Sequence, residues 1–568
     1  MTTLDELRTQ WTAAWPHALA AWGRFVRLRA PLLHGPGEAP PGIGSFAWYS
    51  SGDVEVGIDL AQVQALGLAE HAVAVLAHEV GHHVLSPGDL FTRARLVQRV
   101  RMGLVDRDAD AALVANLWSD MLINDRLQRR AGVRMDLLWR ASGPPTDPLF
   151  RMVMRADELL WQLAPGALTG VRAAGTSESD AQLCAQLVRV YADDPVAGAG
   201  GFAALCRPLL PEPDSGPGRR LATLVCAQHV PAGTRLPPGL TEDPSLTEPV
   251  RHPALDPLVN DELDEGDRMD LPPVTVPGSG QTFGPADMAA VLGALGVTND
   301  PTTAAVAFYR DRASRYLIRF PSIAHAARTE PLLEGLQDWE TGDDVADVDW
   351  TGTLLRSSVI IPGVTTVRRS YGDEPGAEAE RTPLDLDLYV DSSGSMPNPQ
   401  TALLAPALAG AVLALSALRS GARAQVTTWS GPGQLVGTDG FVEDSDTVLR
   451  ALVAHFGGAT SFPLPLLART HLEGRRPSAR RPCHIAVISD SGVVSMFGTG
   501  QPPALADVAV RAVQSAGGGG SLVLQAPASW RQQVRELAQG YEVYAVNDLA
   551  ELVGFAAEFA RHTWGSRA

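Results

Sequence analysis

Lysine is missing from this 568-residue chain: all 46 of its basic side chains are arginine. A P-loop needs a lysine on the phosphates of its nucleotide. The chain therefore carries no such NTPase of its own, and any ATP-driven step has to come from a partner. Cysteine is nearly as scarce. Cys184, Cys206, Cys226 and Cys483 are scattered without a C-x-x-C pair, so neither a disulfide framework nor a cysteine zinc site is indicated. No apolar run reaches the ~20 residues that a spanning helix needs. The opening Met1-Thr2-Thr3-Leu4-Asp5-Glu6 lacks the apolar segment of a signal peptide. A cytoplasmic location is the expectation. Positive charge is also short: 46 basic against 64 acidic side chains leave a net charge of −18. That balance argues against general affinity for nucleic acid or an anionic membrane.

What remains is ordinary globular material, 45% hydrophobic and 19% charged, long enough for two to four domains with real cores. The expected fold class is multidomain α and α/β. A helical domain is expected over 1–165, a helical and irregular middle over 166–380, and an α/β domain over 381–568. Leu4 to Leu33 reads as helix. Ser45 to Leu60 alternates well enough for one or two strands, and Glu70 to Leu85 spaces Val73, Leu76, Val80 and Val84 along one side of a helix.

That last helix carries His78-Glu79-Val80-Gly81-His82. Histidines four apart share a helix face, so both imidazoles reach one zinc, and the glutamate between them is placed to act as general base. The arrangement resembles the zincin metallopeptidases, in which a strand lies above the zinc helix and holds extended peptide. The resemblance implies a third ligand, yet no third histidine follows at the metzincin spacing. In zincins with an acidic third ligand it comes from a second helix. Ala111 to Arg130 is the next helical stretch, with Asp120 the candidate, Asn124 on the same face as its support, and Asp125 in reserve. His83 points about 100° from His82 around the helix and is expected in a supporting or core role.

A second set of ligands lies in the last third. The run Leu384–Val390 alternates apolar and polar residues and reads as a strand with one buried face. It ends in Asp391-Ser392-Ser393-Gly394-Ser395. Gly457-Gly458-Ala459-Thr460 adds a hydroxyl, and the apolar strand His484–Ser489 delivers Asp490. Hard oxygen donors with modest charge at the carboxyl edge of a sheet suit magnesium. Asp391, Ser393, Ser395, Thr460 and Asp490, in that order, resemble the metal-ion-dependent adhesion site of a von Willebrand factor A domain. From Thr382 onward strands and helices alternate as in that Rossmann-like fold. The resemblance implies a docking module whose magnesium takes an acidic side chain of a protein partner. No G-x-S-x-G elbow is present.

Between them, residues 211–277 are rich in proline and hold the acidic run Asp261–Asp267, which reads as an exposed linker. Further on, Trp339-Glu340-Thr341-Gly342-Asp343-Asp344 runs through Asp347 and Asp349 to Trp350. This is similar to the Gly-Asp-Asp…Asp-Trp signature of bacterial proteins encoded beside MoxR-type AAA+ ATPases, with Ala346 where that group usually has arginine. The resemblances together imply a cytoplasmic effector or adaptor of a MoxR-type ATPase, in a defence or stress setting. It would act on a protein or peptide substrate with Zn2+ at the first site and Mg2+ at the second. The alternative is a non-catalytic scaffold whose zinc site is inactive or structural.

Overall fold

The computed structural model describes residues 3–40, 43, 45–171, 176–211, 227–231, 233–260, 283–324, 329–375, 381–473, 481–498 and 502–565. The acidic run Asp261–Asp267 and Cys226 lie outside them. The chain forms two compact units. The first takes Met1–Arg315 with Gly394–Ala411 and Val453–Gly457, and the second takes Tyr316–Ser393, Val412–Leu452 and Gly458–Ala568. Among the described residues no helix is long and apolar enough to cross a membrane.

The first unit begins with α1, Leu4–Ala20, opened by a capping box in which Thr3 and Glu6 satisfy each other's backbone N–H. The helix stops well short of Leu33. Gly23 takes a φ of +122°, and Trp22 turns its indole N–H onto the buried Ala77 carbonyl at 2.7 Å. A four-stranded sheet follows in the order β1-β3-β2-β4, with β1 Leu32–His34, β2 Ala47–Ser50, β3 Glu55–Asp59 and β4 Ala227–His229. β2 runs antiparallel to β3 and parallel to β4. Asp59 ends β3 and caps α2, Leu60–Ala65.

The helices are α3 Ala72–Val84, α4 Leu90–Leu104, α5 Ala111–Arg126, α6 Met135–Ser142, α7 Pro148–Leu160, α8 Thr176–Val190 and α9 Pro195–Cys206. From Ala74 to His82 every residue of α3 is buried, as a helix through a core must be. Within the stretch expected to be a linker, residues 227–231 and 233–260 are folded. Arg99 donates to the carbonyls of Ser245, Glu248 and Pro249, Arg93 donates to the Gln228 carbonyl, and Arg95 pairs with Asp243. The prolines there mark tight turns against α4 rather than an open chain.

Two neighbouring acids on α7 meet opposite fates. Glu158 is buried, but it pairs with Arg155 at 2.8 Å and accepts the N–H groups of Gly166, Leu168 and Thr169. Asp157 is equally buried, and neither of its oxygens has a hydrogen-bond partner among the described residues. Burial, then the charges of Asp125 and Glu158, push its carboxyl well above the ordinary range. An acid held up in the fold binds its proton more tightly there than in the unfolded chain. Stability is therefore greatest below the unfolded value, near ~3.9, and falls as pH rises above it. Replacing Asp157 with leucine, close in size, should stabilise the first unit at pH 7 by about 1–3 kcal/mol and flatten that decline. Denaturant midpoints from pH 4 to pH 8 provide the check; an unstabilised or equally pH-dependent variant would contradict it.

The second unit holds two small antiparallel pairs. These are β5 Ser322–Ala324 with β8 Arg381–Pro383, and β6 Thr329–Asp338 with β7 Val367–Pro375. Its main sheet has the order β11-β10-β9-β12-β13-β14. The strands are β9 Asp385–Asp391, β10 Ala424–Trp429, β11 Leu435–Gly437, β12 Cys483–Ser489, β13 Gly517–Leu524 and β14 Tyr541–Ala545. All neighbours are parallel except β10 and β11. The strand order reverses between β9 and β12, the point where an open α/β sheet leaves a crevice at its carboxyl edge. β9 alternates apolar and polar residues, yet both its faces are buried. Asp387 accepts from His471 at 2.7 Å and from Gln425 at 3.2 Å, while Asp385 pairs with Arg423 at 2.5 Å. Partnered acids thus occupy the face that the alternation assigned to solvent.

Candidate metal centre

α3 and α5 carry the first candidate site, and the sequence explains their close approach. A Cβ at Gly81 would meet Ile123 Cγ2 at 2.5 Å and Trp22 Cζ2 at 2.7 Å, so glycine lets α3 settle against α5 and Trp22. Across that contact, Asp120 Oδ1 stands 3.4 Å from His78 Nε2 and 3.3 Å from His82 Nε2. These separations are longer than charge-assisted hydrogen bonds. They match the ~3.3–3.6 Å between donors of a four-coordinate ion with bonds of about 2.0–2.2 Å. All three side chains are buried, and together they could hold a metal ion.

Each donor is oriented from behind. His82 Nδ1 lies 3.0 Å from the Ser86 carbonyl. That contact aims Nε2 at Asp120. His78 Nδ1 lies 2.7 Å from Asn124 Oδ1 in the same arrangement, as metal-bound histidines usually show. Asn116 Nδ2 donates to Asp120 Oδ2 at 3.2 Å, which turns Oδ1 toward the histidines. Burial pushes both imidazoles down. At His78 the Asp120 carboxylate, helped by Glu79 and Asn124, outweighs burial and holds the ring up at about 9. At His82 burial prevails over Asp120, and the His78 charge adds to it, so that ring is held low.

Asp125, the reserve ligand, is engaged elsewhere, in a two-point ion pair with Arg129 at 2.7 and 2.8 Å. His83 shares a hydrogen bond with the Tyr49 hydroxyl at 3.1 Å, a supporting role from β2. Glu79 is 1% exposed, and with His78 and Asp120 it lines a cavity walled by Phe46, Val75 and Trp139. Asn116, Ser86 and Gln228 were not foreseen. Gln228 reaches His82 Nδ1 at 3.1 Å from 146 residues away, a juxtaposition no local pattern carries.

In the second unit, Asp391 ends β9 with Oδ1 accepting the Ser393 N–H at 2.8 Å and Oδ2 accepting the Ser489 hydroxyl at 2.5 Å. Burial, aided by the charge of Asp490, raises the Asp391 carboxyl, and the hydrogen bonds from Ser489 and Ser393 oppose that shift. Asp490 accepts the Gly492 N–H at 2.7 Å. A Cβ at Gly492 would stand 2.3 Å from Thr460 Cγ2 and 3.1 Å from Asp490 Oδ1, so Thr460 lies beside the Asp490 loop. Asp391, Ser393, Thr460 and Asp490 are thus gathered at the carboxyl ends of β9 and β12. Ser395 is exposed and falls in Gly394–Ala411, which groups with the first unit.

Comparison with family models, curated proteins and solved structures finds no match to this chain.

Proposed function

We propose that this chain is a cytoplasmic adaptor or effector with two metal centres, a zincin-like one in the first unit and a docking loop of von Willebrand A type in the second. One observation carries the first half. Nε2 of His78 and Nε2 of His82 stand 3.4 and 3.3 Å from Oδ1 of Asp120, with both Nδ1 atoms beside oxygen acceptors. Two imidazoles and one carboxylate are a zinc donor set. Zinc, when bound, supplies Lewis acidity and a water of lowered pKa. The chain's own residues do the rest. Glu79, on the cavity, holds and hands on a proton at its carboxylate, while Phe46, Val75 and Trp139 shelter the apolar part of a peptide.

In the second unit, Asp391, Ser393, Thr460 and Asp490 are an oxygen-only donor set at the strand-order reversal, and they suit magnesium. An acidic side chain of a protein partner would complete it. The partner system is a MoxR-type AAA+ ATPase, which would supply the nucleotide chemistry that a lysine-free chain lacks. A second reading, a structural zinc in a non-catalytic scaffold, is favoured by the burial of Glu79, His82 and Asp120 to 1%, 0% and 5% exposure.

Elemental analysis of the full chain tests the shared premise. One zinc per chain is expected, lost in both His82→Ala and Asp120→Ala. A folded wild type without zinc, or an Asp120→Ala variant that keeps it, would overturn the three-ligand site.

A further inference from the structure

Exposed large apolar side chains are not spread evenly over this protein. Twelve of the 26 found among the described residues lie between 332 and 371, within the β6–β7 hairpin and the segment joining its strands. β6 is exposed at every position from 332 to 338, so Leu332, Leu333 and Leu336 face solvent from both sides of a two-stranded ribbon. Such a ribbon is marginal alone in water, and so many exposed apolar side chains gathered in one segment point to an interaction site.

The surface is built rather than loose. Trp339 is buried and donates its indole N–H to the Asp344 carbonyl at 2.9 Å. Asp344 caps the turn Val345–Asp347, and Asp349 caps the helix Trp350–Arg356 through the Gly352 N–H at 3.0 Å. The acidic stretch noted in the sequence therefore does local structural work. It fixes a tip from which Trp350, Leu355, Ile360 and Val364 project, 50%, 84%, 45% and 63% exposed.

Charge selects the occupant. The arginines of this region, Arg356, Arg368 and Arg369, are already paired with Asp338, Asp343 and Asp349. Glu334, Glu340, Asp344 and Asp347 have no arginine partner among the described residues, so the apolar surface carries a net anionic rim. A second copy would bring acid onto acid, on a chain whose net charge is already −18. We propose that the β6–β7 hairpin is the docking surface for a basic amphipathic segment of another protein. Apolar side chains of that segment would cover Leu355 and Ile360, and its cations would face the rim.

A labelled amphipathic peptide of leucine and lysine, five helical turns long, is the probe, with a leucine and glutamate counterpart as control. Anisotropy with the full chain should show the basic peptide bound at least about tenfold more tightly than the acidic one. A Leu355→Glu/Ile360→Glu double variant should weaken it by about tenfold or more. Asp347→Arg, which leaves the apolar surface intact, should also weaken it and reduce its salt sensitivity. Equal binding of both peptides, or full binding by these variants in folded form, would overturn the proposal. So would sedimentation showing a dimer that the double variant breaks, because the occupant would then be a second copy.

Discussion

Glu79→Gln should keep its zinc and lose peptide hydrolysis by about 10²–10⁴-fold, the share a positioned proton acceptor usually contributes. The reasoning is local. Glu79 lies on α3 beside His78 but is not among the three converging donors, so the amide leaves His78, His82 and Asp120 in place. It borders the cavity, so a carboxylate lost there removes a proton acceptor from the cavity that the proposed reading gives to peptide. A fluorogenic peptide library, read beside metal content on the same samples, makes the measurement. Hydrolysis that persists in Glu79→Gln would remove that residue from the chemistry. No hydrolysis in zinc-loaded wild type would favour the scaffold reading.

Magnesium should raise the unfolding temperature of the second unit, and Asp391→Ala should abolish that rise. A ligand bound only by the folded state stabilises it by about 2.7 kcal/mol at a hundred times its dissociation constant. Asp391 is the residue to remove because it is buried at the end of β9 and held by Ser393 and Ser489. Its carboxylate is therefore already ordered where β9 and β12 part. Ser489→Ala should weaken the magnesium effect without erasing it, since it removes only a hydrogen bond to the ligand. Scanning calorimetry across a magnesium titration decides. An equal rise in wild type and Asp391→Ala would place the ion elsewhere.

Much of the first site was legible because it is helical and local. The spacing of His78 and His82 fixes a shared face whatever the tertiary structure. Asp120 could be named because Asn124 lay one turn along on the same helix. What could not be read depends on packing: Asn116 as the hold on Asp120, the Ser86 carbonyl, and Gln228 arriving through β4. The proline-rich stretch misled for a related reason. Composition describes a linker, but three arginines of α4 bind its carbonyls and acids over 227–260. In the α/β part, long strands were readable while β11 and the helix Leu464–His471 were not. Both are short, and Pro463 and Pro465 stand at the start of that helix. The alternation in β9 predicted an open face, because no sequence pattern shows that Asp385 and Asp387 have Arg423, His471 and Gln425 waiting as partners.

The hydrogen bond between Ser489 and Asp391 spans 98 residues, and the adjacency of β9 and β12 makes it possible. A chain emerging from the ribosome displays the Asp391 loop long before the strand that completes it exists. Non-local parallel pairing is slow to form, so the loop stays unassembled until most of the second unit has been synthesised. Assembly of the Asp391 loop is thereby tied to completion of the chain: a truncated or stalled chain would have α3 already made while the Asp391 loop still lacked Ser489.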